Sequence, residues 1–141
     1  MGGQAIGVDT IAIGRDSVAN TIGSIAQGKG ANALGGSSIA IGSAYGTNAG
    51  AATNGENAIA LGAGSSSTAN NALALGLNAN SSATDSIAIG AGSQASVEKG
   101  VALGAGSKAN VVSGVAGYNA NTENIARTDK YSGLTGVALN S

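Results

Sequence analysis

The residues of this chain that could carry out chemistry are few, and their spacing argues against a catalytic site. Four glycine-rich triplets imitate phosphate-binding loops: Gly28-Lys29-Gly30, Gly62-Ala63-Gly64, Gly90-Ala91-Gly92 and Gly104-Ala105-Gly106. They recur in register with predicted turns and open no helix, so we expect no nucleotide site. Asp9 and Asp16 lie half a repeat apart, which predicts opposite corners of a coil and roles in turns rather than an acid/base pair.

The composition excludes most other reactive sites. The 141 residues include 25 Gly and no Pro, Cys, Trp, Phe or His. Without Cys there is no disulfide or thiolate zinc site, and without His the commonest general base and metal ligand is missing. A net charge of -1 leaves no basic field to hold phosphates. We therefore expect no enzyme, no cofactor, no metal, no nucleic acid partner and no small-molecule substrate.

Internal repeats in the sequence must determine where its other residues lie in the fold. A tetrapeptide of an aliphatic residue, Ala, a second aliphatic residue and Gly begins at Ile11, Ile39, Ile59, Leu73, Ile87 and Val101, with degenerate copies at Ile25 and Val115. Successive copies are 14 residues apart, except for one step of 20 between Ile39 and Ile59. One unit is therefore about 14 residues long, with a single insertion.

Within each unit a small residue recurs every seven positions, and these residues form one series along the chain. It comprises Ala5, Ala12, Ala19, Ala26, Ala33 and Ala40, and resumes as Ala60, Ser67, Ala74, Ser81, Ala88, Ala95, Ala102, Ala109 and Ala116. A heptad beat also fits a coiled coil, but that structure needs large apolar residues at two heptad positions. Each Gly inside a helix costs about 0.8 to 1 kcal/mol relative to Ala. The 25 glycines therefore favour an all-β solenoid with two short strands per coil.

Alternation within the strands separates small from large side chains. In the first copy Ala12 points to one side of the strand, and Ile11 and Ile13 point to the other. We expect the small residues to line a thin interior and the aliphatic residues to face outward. Monomers rarely expose so long an apolar stripe, so we predict a homo-oligomer. Its expected interface comprises Ile11, Ile13, Ile39, Ile41, Ile59, Leu61, Leu73, Leu75, Ile87, Ile89, Val101 and Leu103.

The repeat resembles the head repeats of YadA-like trimeric autotransporter adhesins of Gram-negative bacteria. The closest segments are residues 85–95 and 38–42, and the resemblance covers about residues 5–120. It implies a left-handed parallel β-roll of about eight to nine coils, assembled as a homotrimer. The left hand comes only from the resemblance, since the general crossover rule favours the right hand.

The resemblance also implies a function and a place in the cell. We expect cell adhesion and virulence, through binding to a host extracellular matrix protein or cell-surface receptor. We expect the protein at the cell surface, anchored in the outer membrane by a C-terminal region beyond this sequence. Only other parts of the full-length protein would then contact the membrane. A structural spacer that extends a separate binding tip is the alternative, because the polar outer face carries few hot-spot residues.

An insertion interrupts the repeat within about residues 43–57. It carries the candidate partner-binding loop residues Tyr45, Asn48, Asn54 and Glu56. Loops on rigid scaffolds often carry recognition, which favours receptor contact. Insertions in solenoids also commonly form tolerated excursions at coil corners, so this second interpretation stays open.

The repeat also ends before the chain does. We assign residues 1–118 to the head repeats and residues 119–141 to an irregular excursion and the start of a further coil, or a junction to the next module. Because a new copy begins at Val137, only shortly before Ser141, we expect more protein to follow. The Met1-Gly2-Gly3 start does not resemble a signal peptide and leads us to expect an excised fragment.

Overall fold

Short strands at regular intervals build the chain in the computed structural model, which describes residues 2–112. Residues Met1–Asn110 form one compact unit. The odd-numbered strands have two residues each: β1 (Gln4–Ala5), β3 (Val18–Ala19), β5 (Asn32–Ala33), β7 (Ala52–Thr53), β9 (Ser66–Ser67), β11 (Asn80–Ser81), β13 (Gln94–Ala95) and β15 (Lys108–Ala109). The even-numbered strands have three: β2 (Ile11–Ile13), β4 (Ile25–Gln27), β6 (Ile39–Ile41), β8 (Ile59–Leu61), β10 (Leu73–Leu75), β12 (Ile87–Ile89) and β14 (Val101–Leu103).

The strands form two parallel sheets. The two-residue strands form an eight-stranded sheet, the short-strand sheet, and the three-residue strands form a seven-stranded sheet, the long-strand sheet. Equivalent residues of successive coils pair, so Ala74 lies opposite Ala60 and Ala88. The prediction of an all-β parallel solenoid with 14-residue coils and two short strands per coil is confirmed, with about eight coils and no helix in the described range.

A corner follows each strand and rests on the corner of the neighbouring coil. In the corners after the long strands, the Gly28 backbone N–H donates to the Ile13 carbonyl at 2.8 Å. In the corners after the short strands, the Gly23 N–H donates to the Val8 carbonyl at 2.9 Å. The same bonds recur along the stack, so the corner backbone, like that of the strands, is satisfied by neighbouring coils.

Glycine is required where a long strand ends. Gly76 has a φ of +134°, which side chains rarely allow. A Cβ atom there would lie 2.7 Å from the carbonyl carbon of Gly90, the equivalent residue one coil further on. Because glycines occupy this position in successive coils, the corners can stack as closely as the strands do.

The interior of the coils within residues 2–112 contains only small side chains. Among the described residues, the buried apolar side chains are Ala19, Ala26, Ala31, Ala33, Ala40, Ala51, Ala58, Ala60, Ala72, Ala74, Ala79, Ala88, Ala95 and Ala102. Buried hydroxyls close the corners, as where the Ser65 Oγ donates to the Gly62 carbonyl at 2.7 Å. The predicted inward direction of the small residues is confirmed for the inner coils, and Thr53 is the largest fully buried side chain.

The inserted segment is shorter than residues 43–57, the interval that was predicted to contain it. The Ala51 N–H donates to the Gly42 carbonyl at 3.1 Å, as the Ala31 N–H does to Gly28 in the preceding coil. Residues 43–50 thus replace a two-residue corner, whereas residues 52–57 form β7 and an ordinary corner. Thr53 takes the place of the small residue that the insertion displaced. The predictions for residues 119–141 lie outside the described residues.

Candidate functional site

The outward side of the long-strand sheet is a continuous apolar surface, which we call the aliphatic face. It consists of the first and third residues of β2, β4, β6, β8, β10, β12 and β14. All twelve residues expected at an interface lie on it: Ile11, Ile13, Ile39, Ile41, Ile59, Leu61, Leu73, Leu75, Ile87, Ile89, Val101 and Leu103. Ile25 adds a thirteenth aliphatic side chain, and Gln27 is the exception. None of these positions carries a charge.

Neighbouring coils cover the aliphatic face only partly. Ile39, Ile41 and Ile89, in the middle of the stack, are half-buried by the side chains above and below them. Leu103, in the last described long strand, is 71% exposed. No element of the described chain lies over this face, so its outer surface is open to another molecule.

The outward side of the short-strand sheet has a different character. Ser66, Asn80, Gln94 and Lys108 are stacked there in successive strands. Side chains of this kind are stable in contact with water. The two sheets therefore give the stack of coils one apolar side and one mainly polar side, on which Val18 and Ala52 are apolar exceptions.

The insertion forms a small hairpin at a corner that follows a long strand. Tyr45 and Asn48 pair in antiparallel fashion, with backbone hydrogen bonds of 3.1 and 3.0 Å around Gly46 and Thr47. Gly46 has a φ of +59° and occupies the first position of the two-residue loop, where type II′ turns require glycine. The hairpin exposes Tyr45 by 83%, and this is the sole aromatic side chain among residues 2–112.

Contacts with later coils hold the hairpin in place. The Asn78 side-chain amide donates to the Asn48 Oδ1 at 3.2 Å, across 30 residues of chain. Gly64 lies between them and donates its backbone N–H to the Ala49 carbonyl at 2.8 Å. The hairpin is thus bonded along the corners of the following two coils, which positions Tyr45.

The structure does not bring the four candidate loop residues together. Asn54 and Glu56 belong to the corner after β7, on the opposite side of the coil from Tyr45 and Asn48. Their backbone N–H groups bond to the next coil, that of Glu56 to the Asn70 Oδ1 at 3.0 Å. Only Tyr45 and Asn48 therefore belong to the projecting hairpin.

Sequence reasoning missed the residues that support these corners. Asn78 has no local signal that links it to Asn48. In the opposite corners, the Asn71 side-chain amide donates to the Asp85 Oδ1 at 2.9 Å, and both residues have left-handed backbone. A polar residue at the same place in successive repeats could have indicated this stack, since Asn and Asp tolerate positive φ.

The acidic residues within the described part of the chain form no reactive cluster. Asp9 and Asp16 have φ values of 56° and 58° and lie at opposite corners, so their predicted roles in turns are confirmed. Within residues 2–112, no three His, Cys, Asp or Glu residues are placed to hold a metal ion. The same part of the chain has no helix of the length and apolarity needed to cross a membrane.

Comparison with known proteins gave one family. The model of the YadA head domain repeat, in two copies, matches residues 5–26, 22–44, 43–65, 54–79 and 81–107. These segments together span most of the described coils, including the hairpin. No curated protein matched the chain.

Proposed function

The chain belongs to the YadA head family, and from this we propose that it is a head module of a trimeric autotransporter adhesin that binds a host extracellular matrix protein or cell-surface receptor. The family match across successive coils is the observation that carries this proposal. Adhesion of this kind uses an exposed, rigid surface and no catalytic group.

The aliphatic face supports the assembly of three chains around a common axis. Full burial of each Val, Leu or Ile side chain stabilises by roughly 1.5–3 kcal/mol, and this face presents twelve such interface candidates besides Ile25. The thin interior of Ala and Ser provides little apolar burial within one chain. Association would therefore supply apolar burial that the single chain lacks. In this proposal the coils wind left-handed, as in the family.

The proposed position is the surface of a Gram-negative bacterium. There the head would be carried outward from the outer membrane, with the anchor in a C-terminal region beyond this chain. Residues 1–118 would form the head, and residues 119–141 would lead into the next module. The mainly polar side of the short-strand sheet would then face the surroundings.

The hairpin is the proposed contact with the host partner. Tyr45 is the exposed aromatic side chain of the described surface, and aromatic side chains are common hot spots of binding. Asn48 bonds the hairpin to the corner two coils further on, through Asn78. Asn54 and Glu56, at the opposite corner, would contribute only to a partner large enough to reach both corners.

Two measurements test the proposal. Sedimentation equilibrium of the purified chain should give three times the monomer mass of 13.1 kDa; a folded monomer at micromolar concentration would contradict the assembly. Solid-phase binding to collagen, fibronectin, laminin and epithelial cell-surface receptors should be saturable for at least one of them. A trimer without saturable binding to any of them would instead favour the spacer function.

A further inference from the structure

One polar side chain interrupts the aliphatic face. Gln27 is the third residue of β4 and lies between Ile13 and Ile41 of the adjacent strands. It is exposed, and its side-chain amide makes no hydrogen bond within residues 2–112. All other outward positions of the long strands are aliphatic.

The amide of Gln27 would be costly in an apolar interface without a partner. A buried amide that loses its hydrogen bonds to water destabilises the structure unless protein groups replace them. The aliphatic face offers no other polar side chain for this purpose. A second copy of Gln27 does, because an amide carries both donors and acceptors.

The inner coils of the aliphatic face discriminate little between registers of neighbouring chains. Coils 14 residues apart present similar Ile, Leu and Val side chains, so a shift of about 4.8 Å, one coil, exchanges one aliphatic contact for another. The same shift of one chain would bring its Gln27 against Ile13 or Ile41 of both neighbouring chains. It would leave that amide buried without a partner.

We propose that Gln27 fixes the register of the three chains through a ring of side-chain amide hydrogen bonds at their common axis. This inference rests on the trimer of the proposed function. Threefold symmetry places the three Gln27 residues at one height, where each amide donates to the next around the ring. The column formed by the third residues of the long strands then lies nearest the axis. A single polar residue in an apolar seam sets register in the same way in coiled coils, at a cost in stability.

Disulfide mapping in the 141-residue chain tests this inference. The chain has no native Cys, so Ile89→Cys and Leu103→Cys chains can be refolded together, oxidised and digested. Trypsin cleaves after Lys99 and separates the two positions. With Gln27 present, linkages should join equal positions, 89 to 89 and 103 to 103. In the Gln27→Leu background, linkages between 89 and 103 should appear in comparable amounts, because shifted registers no longer leave amides unpaired.

A stability measurement and a matched control accompany the mapping. Gln27→Leu should raise the melting temperature by about 5 °C, since it removes a polar group from the axis. Gln94→Leu, on the outward side of the short-strand sheet, should change neither the linkages nor the melting temperature. Gln27→Glu should abolish the trimer at neutral pH, because it places three carboxylates at one height.

The outcomes separate this inference from the proposed function. If the parent chain sediments as a monomer, the trimer and the ring are both wrong. If the parent chain is a trimer and Gln27→Leu forms no linkages between 89 and 103, the ring alone is wrong. A Gln27→Glu chain that still sediments as a trimer at neutral pH would likewise overturn the ring and leave the trimer standing.

Discussion

The Thr53 hydroxyl donates a hydrogen bond of 2.8 Å to the Ser38 Oγ inside the solenoid. Ser38 in turn donates to the Gly35 carbonyl at 2.7 Å, so both hydroxyls of this buried pair are satisfied. Thr53 replaces the Ala or Ser found at this place in the other coils. The coil that carries the hairpin therefore has its own internal polar link.

Thr53→Val should lower the free energy of unfolding by about 1 kcal/mol. Valine keeps the volume of threonine but removes the donor to Ser38, whose own bond to Gly35 remains. Urea unfolding followed by circular dichroism measures the change. Thr68→Val is the matched control because Thr68 is exposed in the next short-strand corner. Equal effects at the two positions would mean that the buried bond contributes nothing.

Ala60→Leu should prevent folding or cost about 3 kcal/mol, the upper part of the range for overpacked cores. Ala60 is fully buried between the sheets, where the largest side chain is a threonine. Ala52→Leu, whose side chain lies on the outward side of β7, should be tolerated. Thermal unfolding of both variants provides the comparison. A stable Ala60→Leu chain would show that the interior has room that the structure does not contain.

Gly76→Ala should destabilise the chain by about 1–3 kcal/mol from backbone strain alone. The added Cβ would also collide with the Gly90 backbone one coil away. Gly36→Ala should have little effect, since a Cβ there meets nothing within 4 Å. Melting temperatures of the two variants measure the difference, and equal values would contradict the close stacking of the glycine corners.

Ile89→Asp should prevent assembly of the proposed trimer. It places three carboxylates near the axis, where unpaired buried charge is very costly. Sedimentation equilibrium should show monomers or unfolded chains. Gln94→Asp adds the same charge to the outward side of the short-strand sheet and should leave the trimer intact. An unchanged melting temperature for Ile89→Asp would show that Ile89 faces water.

Tyr45→Ala should weaken binding to the host ligand by roughly tenfold or more if the hairpin carries a hot spot. Sedimentation and melting temperature should stay unchanged, because Tyr45 is exposed and packs little against the coils. Asn54→Ala at the opposite corner is the control. Equal affinity of the Tyr45→Ala chain and the parent would identify the hairpin as a tolerated insertion.

The fold was predictable because its core uses a very small set of side chains. The spacing of Ala60, Ala74 and Ala88 and the aliphatic residues that flank them together specify the strand, its inward side and the length of the repeat. The sequence predicted that the insertion lies within about residues 43–57, but not which of these residues form it. The inward position of the other short strands holds Ala or Ser, and Thr53 departs from that pattern. The burial of Thr53 was therefore evident only from the pairing of β7 with β5 and β9.

The amino-acid sequence alone determined the coil length, the two strands per coil and the division into small inward and aliphatic outward residues, because these follow from strand alternation and from a strict period. The tertiary structure decided which distant residues meet. Asn78 reaches Asn48 across 30 residues, and Asn54 lies at the opposite corner from Tyr45. Those relationships depend on how the inserted chain folds over neighbouring coils, and no local pattern encodes that path.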